Sequence, residues 1–475
     1  MRTHGLIVAF ILMGGSVLAA GCAGEKSLPT ESESPGGVLA AAPSGFKTAK
    51  PSYLVPTAPG VVVDPILSTG DVIGSYQMSG IPDGLGAYKT GNTIQLFMNH
   101  ELDRTFPAPP LNPGSDARIS HLTLNPDTRG VIEGRYPFTG LENFTRFCAS
   151  TLAKLGGTHW YFTGEETNSS GHFGSSIAMN VETGSWVETP HFGKLQHENV
   201  VPLEGLSSAV LITTDDDFTT GVPSYLYAYI ANSKKFEDAI ANHGDLYVWR
   251  ADNPAETPAA MAKGQSIAGH FVAVSDAAAV ASPASLKAES ASKNAAQFIR
   301  MEDAVASQKE AGLFYFADTG KTPSYDPRGR IYQMQVDKHD PTVATLTLLL
   351  SGGQGDDIYN PDNLGTSEHL LVIQEDRNSE FRDAAFSGGY GRMLVYDLRT
   401  GTLRSVARVN TPPPLRPGTW ESSGAIYADK LLGKDWWLVD VQAHEVVAPQ
   451  PGPSLAPNSA TGEDGQLLAI KIPNS

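Results

Sequence analysis

Short apolar runs that end in an acidic residue recur along this chain and predict β-strands. The clearest is Leu313–Asp318, an aromatic and aliphatic run closed by a carboxylate and followed shortly by Gly320. Runs of this length bounded by turn residues are typical of buried strands. Each run is preceded by a turn, or by the start of a strand, that carries a further carboxylate. The runs end at residues 101, 166, 217, 318, 376 and 440, and the leading carboxylates are Asp83, Glu142, Glu198, Glu302, Asp362 and Glu421.

The spacing of the leading carboxylates predicts an all-β fold built from repeats. Their separations are 59, 56, 104, 60 and 59 residues, so four of the five intervals are nearly equal. All-β units of regular length are typical of β-propellers. The sequence therefore predicts a six-bladed β-propeller with one unit per blade.

The long interval between Glu198 and Glu302 predicts an insertion at about residues 251–296. Its composition shifts to Ala, Ser and Lys, and the stretches Ala277–Ala281 and Ala284–Ala296 have the composition of helices. The sequence leaves open whether this Ala/Ser-rich, partly helical insertion covers the site as a lid or is an inert decoration.

The N-terminal region predicts export and lipidation. Arg2 precedes the apolar run Leu6–Ala20, which is too short for a spanning helix, so residues 1–21 are predicted to be a signal peptide. Leu18-Ala-Ala-Gly-Cys22 resembles a bacterial lipoprotein signal, in which the cysteine is lipidated. We expect a disordered tether over residues 22–50 after lipidated Cys22, and a propeller domain over residues 51–475. The protein would then be an extracytoplasmic lipoprotein held at the cell membrane or the outer membrane.

The charge and cysteine content narrow the classes of partner. A net charge of −17 argues against nucleic acid and anionic membrane surfaces as partners, so the lipid would be the only membrane contact. An anionic small substrate would require bound cations. We expect a monomer. If Cys22 carries lipid, Cys148 is the only thiol, and the sequence leaves open whether it is buried and inert or binds a metal.

The repeated residues are mostly oxygen donors, which a propeller would gather around one axis. Many carboxylates in one cavity cannot all stay ionised without cations. Oxygen-rich sites suit Ca²⁺, and a thiolate adds a place for iron. Arg300 is either a planar contact for phosphate or an ion-pair partner of Glu302 or Asp303. The candidate donors are Asp83, Glu101, Glu165, Glu166, Glu198, Asp215, Asp216, Asp217, Glu302, Asp318, Asp362, Glu375, Asp376 and Glu421.

An ordered set of short motifs resembles the PhoX-type alkaline phosphatases. The set is Asn99-His-Glu101, Cys148 with Thr163-Gly-Glu-Glu166, Gly193-Lys-Leu-Gln-His-Glu198, Asp215-Asp-Asp217 before Tyr225-Leu-Tyr227, Gly244-Asp-Leu-Tyr247, Arg300-Met-Glu302 and Pro361-Asp-Asn-Leu364. The resemblance implies a six-bladed propeller with a cluster of several Ca²⁺ ions and Fe³⁺ that hydrolyses phosphate esters. It implies that Cys148 binds iron, that Glu198, Glu302 and either Glu165 or Glu166 bind metals, and that an acid of the Asp362 or Glu375-Asp376 segments completes the cluster. Asn99 and Arg300 would contact phosphate.

The sequence therefore predicts a metal-dependent phosphatase that acts on a small phosphate ester. Two alternatives stay open at this point. One is a calcium-dependent propeller hydrolase of lactonase type, and the other is a propeller that binds a ligand without catalysis.

Overall fold

The computed structural model of the protein describes residues 43–103, 116–167, 171–219, 221–377, 389–413, 415–444 and 463–475. The predicted signal peptide, Cys22 and most of the predicted tether lie outside these residues. The disorder predicted for residues 43–50 is wrong, because this segment packs on the folded part. Phe46 forms a β-bridge with Val131, and the Lys50 ammonium lies 3.1 Å from the Asp464 carboxylate.

The described residues form mainly antiparallel β-strands, as the sequence predicts. In chain order the first strands are β1 (Leu54–Pro56), β2 (Val62–Ser68), β3 (Val72–Ile73), β4 (Tyr76–Gln77), β5 (Pro82–Thr90), β6 (Thr93–His100), β7 (Arg118–Leu124), β8 (Val131–Phe138), β9 (Thr151–Leu155), β10 (Thr158–Gly164), β11 (Ser176–Asn180), β12 (Trp186–Glu188), β13 (His197–Leu203), β14 (Val210–Asp215), β15 (Leu226–Ala231) and β16 (Gly244–Ala251). They are followed by β17 (Ser266–Ala273), β18 (Met301–Ala306), β19 (Leu313–Asp318), β20 (Arg330–Val336), β21 (Val343–Ser351), β22 (Pro361–Thr366), β23 (Leu370–Glu375), β24 (Arg392–Asp397), β25 (Thr402–Val409), β26 (Glu421–Tyr427), β27 (Trp436–Ala443) and β28 (Asp464–Lys471).

Helices are few and short. They are α1 (Phe236–Ile240), α2 (Asp276–Ala281), α3 (Pro283–Ser292) and α4 (Asp429–Leu432), with 3₁₀ turns at Pro190–Phe192, Pro258–Ala260 and Gly352–Gln354. None of the helices in the described part of the chain has the length and apolar character needed to cross a bilayer.

The strands are arranged as in a β-propeller. Three sheets are four-stranded, with the orders β5-β6-β7-β8, β12-β11-β10-β9 and β2-β28-β27-β26, and one is five-stranded, β1-β25-β24-β23-β22. A nine-stranded sheet, β13-β14-β15-β16-β17-β21-β20-β19-β18, contains two further four-stranded runs. The strands β5, β9, β13, β18, β22 and β26 contact one another in that cyclic order and form the innermost ring. The count of six blades depends on dividing the nine-stranded sheet, so it stays a prediction.

Apolar side chains between neighbouring four-stranded units hold the ring together. One cluster joins Val201 and Ile212 of β13 and β14 to Phe314 and Phe316 of β19. A second joins Val372 of β23 to sheet β26–β28. The N-terminal strand β2 closes the ring by pairing with the C-terminal strand β28.

The insertion at about residues 251–296 contains more than the predicted helices. The helices lie where they are expected, although α3 ends at Ser292 rather than at Ala296. The sequence analysis did not predict β17, whose residues alternate between exposed and buried and which pairs with both β16 and β21. Such alternation fits a strand with one buried face, and β17 thereby joins two units into one sheet.

We predict that the pairing of β2 with β28 is a main source of stability. Leu467 on β28 is fully buried, so Leu467→Ala should lower the free energy of unfolding by about 2 to 5 kcal/mol. Val62 on β2 is 50% exposed, and Val62→Ala should change the free energy of unfolding by less than about 0.5 kcal/mol. Urea unfolding of both variants measures the difference. Equal free energies of unfolding in the two variants would show that side-chain packing between β2 and β28 does not stabilise the closed ring.

Candidate metal centre

One end of the innermost ring holds a polar cavity of about 190 Å³. The innermost strands begin at this end, and the second strand of each unit ends there, because neighbouring strands are antiparallel. Both parts of the sequence repeat, the leading and the closing acid, therefore reach the same place. The lining residues are Asp83, Glu101, Arg146, Cys148, Glu166, Glu198, Arg300, Glu302, Asp362, Asn363, Asp376, Glu421, Gln442 and His444.

Bulges at the start of the innermost strands direct these side chains to the axis. The pairing register shifts in β5, β13, β18 and β22 at a residue that lines the cavity, and in β26 it shifts within four residues of Glu421. A bulge re-aims side chains that strict alternation would send to opposite faces of the sheet. In β26 the bulge includes Gly424 at φ 46°, where a Cβ atom would lie 2.9 Å from Leu85 Cγ. Only glycine fits there without strain.

A layer of hydrogen-bonded side chains lies directly below the acids. Its members follow the cavity acids in sequence, as in Glu198-Asn199 and Glu302-Asp303. Asn199 donates to Asp303 Oδ1 at 2.6 Å, and the backbone N–H of Leu364 donates to Asp303 Oδ2 at 2.9 Å. Asn199 and Asp303 also line a larger cavity of about 890 Å³ at the opposite end of the axis. The layer therefore separates the two cavities and fixes the strands that carry the acids.

The same layer continues on the other side of the axis around Asp83. Asn363 donates to Asp83 Oδ1 at 3.1 Å, and Gln442 donates to Asp83 Oδ2 at 2.9 Å. Ser423 donates to Asn363 Oδ1 at 2.8 Å and also contacts Asp83. Side chains from three different sheets are thus connected at the floor of the cavity, which Asp83, Asn363 and Gln442 themselves line.

Four overlapping groups of donor atoms line the cavity. The groups are Asp83, Glu101 and Cys148; Cys148, Glu166 and Glu198; Glu198, Glu302 and Asp362; and Asp362, Asp376 and Glu421, and the donor atoms within each group lie within 4.8 Å of one another. Cys148, Glu198 and Asp362 each belong to two groups. The donors therefore form one continuous series from the thiol to Glu421.

The electrostatics of the cavity favour bound cations. Burial, followed by the charges of neighbouring carboxylates, raises the pKa of Glu198, Asp362 and Glu421 well above the usual range of such acids. Glu421 Oε2 is buried and has no hydrogen-bond partner among the residues that the structure describes. A cation would stabilise these carboxylates as anions. Oxygen donors in this number suit Ca²⁺, and the thiol end suits a softer transition metal, so the residues fit the cluster that the motif resemblance implies.

Two arginines also line the cavity. Arg300 Nε donates to Asp216 Oδ1 at 2.9 Å, Arg300 Nη2 contacts Asp216 Oδ2, and Nη2 lies 3.0 Å from Glu302 Oε1. Arg146 Nη2 lies 2.7 Å from Glu101 Oε1, and its Nε donates to Glu166 Oε2 at 3.1 Å. The ion pair expected for Arg300 therefore involves Glu302 and, in addition, Asp216 rather than Asp303.

The structure brings most of the predicted site residues together. Arg300 lines the cavity, and so do six of the predicted metal ligands, namely Cys148, Glu166, Glu198, Glu302, Asp362 and Asp376. Cys148 is buried, and its Sγ donates to Glu166 Oε2 at 3.1 Å. The thiol therefore faces the donor series.

Three predicted site residues lie elsewhere, and their assignments are corrected. Glu165 accepts hydrogen bonds from the backbone N–H groups of Thr145 and Gly174, so it fixes loops. Glu375 binds Arg392 at 2.7 Å and Arg377 at 3.1 Å, so arginines already satisfy its charge.

The third correction concerns Asn99, which does not line the cavity. Its Nδ2 donates to the carbonyl of Cys148 at 2.7 Å and to Thr163 Oγ1 at 2.9 Å, and its Oδ1 accepts from the Tyr161 hydroxyl. Asn99 therefore orients the backbone that carries the thiol.

Sequence reasoning missed several lining residues. The leading carboxylate Glu142 caps a turn by accepting from the Thr139 backbone N–H at 3.0 Å, and Cys148 takes the cavity position in that unit. The only signal in the sequence for Arg146 is its position two residues before Cys148. His444 bonds Glu421 Oε1 at 3.1 Å, where the repeat predicted the acid Asp440 instead. Asp440 is fully buried below the cavity.

One solved structure supports the fold. PhoX from Pseudomonas fluorescens, solved in complex with vanadate, a transition state analogue, superimposes with a TM-score of 0.64 and 15% sequence identity, covering 90% of this chain and 98% of that chain. The chain has the PhoX propeller fold. No family model and no curated protein matches the sequence. An α-L-arabinanase from Penicillium chrysogenum matches with a TM-score of 0.41 and 10% identity over 87% of this chain and 99% of that one, a score too low to argue from.

The raised acid pKa values predict a specific pH dependence after cations are removed. Burial raises the pKa of Asp303 from an unfolded value near 3.8 to about 7, so the folded protein binds more protons in between. Stability from this group is fully present below about pH 4 and is lost as the pH rises through about 7. For protein stripped by a chelator, we expect this group alone to lower the free energy of unfolding by roughly 2.5 kcal/mol between about pH 5 and about pH 8.

Two controls accompany this measurement by urea unfolding. Asp303→Asn should make the fall in stability with pH smaller, because it removes one of the titrating groups. Excess Ca²⁺ should also restore stability at high pH, because the cation favours the ionised form of the cavity acids. A stability that rises with pH in the stripped protein would contradict this account of the cavity.

Proposed function

We propose that the protein is an extracytoplasmic, metal-dependent phosphatase that hydrolyses small phosphate esters in the cavity. The observation that carries the proposal is the continuous donor series from Cys148 to Glu421 with the guanidinium of Arg300 beside it. The PhoX fold and the ordered motifs support it. Bound Ca²⁺ and Fe³⁺ would neutralise phosphoryl oxygens and activate a water molecule.

Most of the acids that line the cavity are proposed metal ligands. Glu198, Glu302, Asp362 and Asp376, with Cys148 and Glu166 at the thiol end, would hold the cations. Asp83, Glu101 and Glu421 belong to the same donor groups and join the proposed ligands.

Arg300 would orient the ester. Its guanidinium is planar and suited to bind phosphate oxygens through paired hydrogen bonds. The Asp216 carboxylate accepts hydrogen bonds from Nε and Nη2 of Arg300, and these bonds fix the plane of the guanidinium at the cavity wall. Substrate would thus meet a preoriented donor rather than a flexible one, which is the arrangement that favours catalysis.

The predicted export signal completes the proposal. We propose that the chain is lipidated at Cys22, is held at the membrane only through this lipid and the following tether, and acts as a monomer. Mass spectrometry of the membrane fraction would detect diacylglyceryl-modified Cys22.

Loss of the guanidinium should impair catalysis. Arg300→Ala should lower kcat/KM for a phosphomonoester such as p-nitrophenyl phosphate by roughly 10²- to 10³-fold, because a preoriented charged donor is removed. The matched control is Arg399→Ala, which removes a 50% exposed arginine paired with Asp397 and should leave kcat/KM unchanged. Full activity in Arg300→Ala would show that this arginine does not bind the ester.

Metal content distinguishes the proposal from its alternatives. We expect elemental analysis of the purified protein to find iron and several calcium ions, and Cys148→Ser to lose iron while keeping calcium, because the hydroxyl is a harder and weaker ligand. A single calcium ion without iron would favour a lactonase-type hydrolase. No bound metal, together with no esterase activity, would favour a binding module.

A further inference from the structure

The inserted helix α3 reaches the loop that holds Arg300. Lys287 on α3 has a side chain only 12% exposed, and its Nζ bonds the Pro223 carbonyl at 3.0 Å. The same Nζ lies 3.2 Å from Asp217 Oδ2 and also contacts Asp215 Oδ2. These two acids flank Asp216, the residue that grips Arg300.

Alternation along the chain separates the roles of the three acids. Side chains of successive residues in extended backbone point to opposite sides. Asp215 and Asp217 therefore face Lys287, whereas Asp216 faces Arg300. The backbone of Asp216 is fixed by Gln196, whose carbonyl accepts from the Asp216 N–H at 2.9 Å.

All three acids are buried, so their charges matter. Their side chains are at most 5% exposed. Without a cation on the outer side, Asp215 and Asp217 would repel Asp216 and would compete with it for Arg300. Lys287 supplies that cation and leaves the Asp216 carboxylate available for the guanidinium.

The helix itself is firmly packed, which argues against a lid. Leu286 is fully buried in the cluster with Tyr227 and Leu246. Ser290 Oγ and the Tyr227 hydroxyl form a hydrogen bond with 3.0 Å between the two oxygens. The face of α3 next to Lys287 is thus attached to the propeller, and the helix presents the lysine from a fixed position.

We propose that Lys287 is a positioning residue for the phosphate-binding arginine and that α3 is the brace that carries it. The chain of contacts is Lys287 to Asp215 and Asp217, through the loop to Asp216, and from Asp216 to Arg300. This inference rests on the proposed function for its catalytic consequence, but the mechanical link between α3 and Arg300 does not depend on the reaction.

The test compares Lys287→Met with Lys293→Met, a lysine directly after the C-terminus of the same helix. Lys293 is 37% exposed and, within the described part of the chain, its ammonium forms an ion pair with Glu289 one turn earlier. In Lys287→Met we expect the inhibition constant of inorganic phosphate and the KM of a phosphomonoester to rise roughly 10- to 100-fold, because Arg300 is misplaced. Metal content should stay unchanged. Lys293→Met should behave as wild type, and Lys287→Arg should recover most of the affinity.

Hydrogen exchange gives a readout that does not require activity. Amides of residues 215–217 and 298–303 should exchange faster in Lys287→Met than in Lys293→Met. If Lys287→Met fails to fold, Lys287→Gln, which keeps a polar side chain but lacks the charge that compensates Asp215 and Asp217, should show the same faster exchange. If these amides exchange at the wild-type rate in that variant or in Lys287→Met, Lys287 does not position Arg300 and the proposal is wrong. Absence of phosphatase activity in the wild type, with the exchange difference present, would overturn only the proposed function.

Discussion

Mutual repulsion among buried carboxylates is the constraint on which the rest of this structure depends. Eight carboxyl groups line one small cavity, and burial raises the pKa of Glu198, Glu302 and Asp362 well above ordinary values. Isolated charges are costly away from water, so such a cavity is stable at neutral pH only if cations are shared among the acids. The overlap of donor groups through Cys148, Glu198 and Asp362 is what sharing requires. Arg146 contacts Glu101 and Glu166, and Arg300 contacts Glu302, so the two arginines compensate part of this charge.

The fold meets this constraint by rigid support from below and from outside. Bulges bring two consecutive residues of an inner strand to the axis, so a cavity acid such as Glu302 is followed by a supporting residue such as Asp303. Asn199, Asp303, Asn363 and the side chains around Asp83 then connect the strands beneath the acids. Networks of this kind hold ligands in place before a metal or substrate arrives. On the outside, packed sheets and the inserted helix restrict the loops that carry the closing acids.

The sequence repeat predicted the all-β architecture and most of the cavity residues, because a period of about 59 residues reflects the recurring unit of the propeller. It could not choose between neighbours. Glu165 and Glu166, or Glu375 and Asp376, differ by one residue, and only the local backbone decides which side chain faces the axis. The repeat also failed where chemistry differs from unit to unit. In one unit Cys148 lines the cavity where the repeat predicted Glu142. In another unit His444 lines it where the repeat predicted Asp440.

The central hypothesis is that the acids of the cavity share multivalent cations. Anomalous X-ray diffraction from crystals of the purified protein tests it most directly. We expect anomalous peaks between Glu198, Glu302 and Asp362, and between Asp362, Asp376 and Glu421, at about 2.3–2.6 Å from carboxylate oxygens when the ion is Ca²⁺. Ordered crystals grown with excess Ca²⁺ and showing no anomalous peak in the cavity would contradict it.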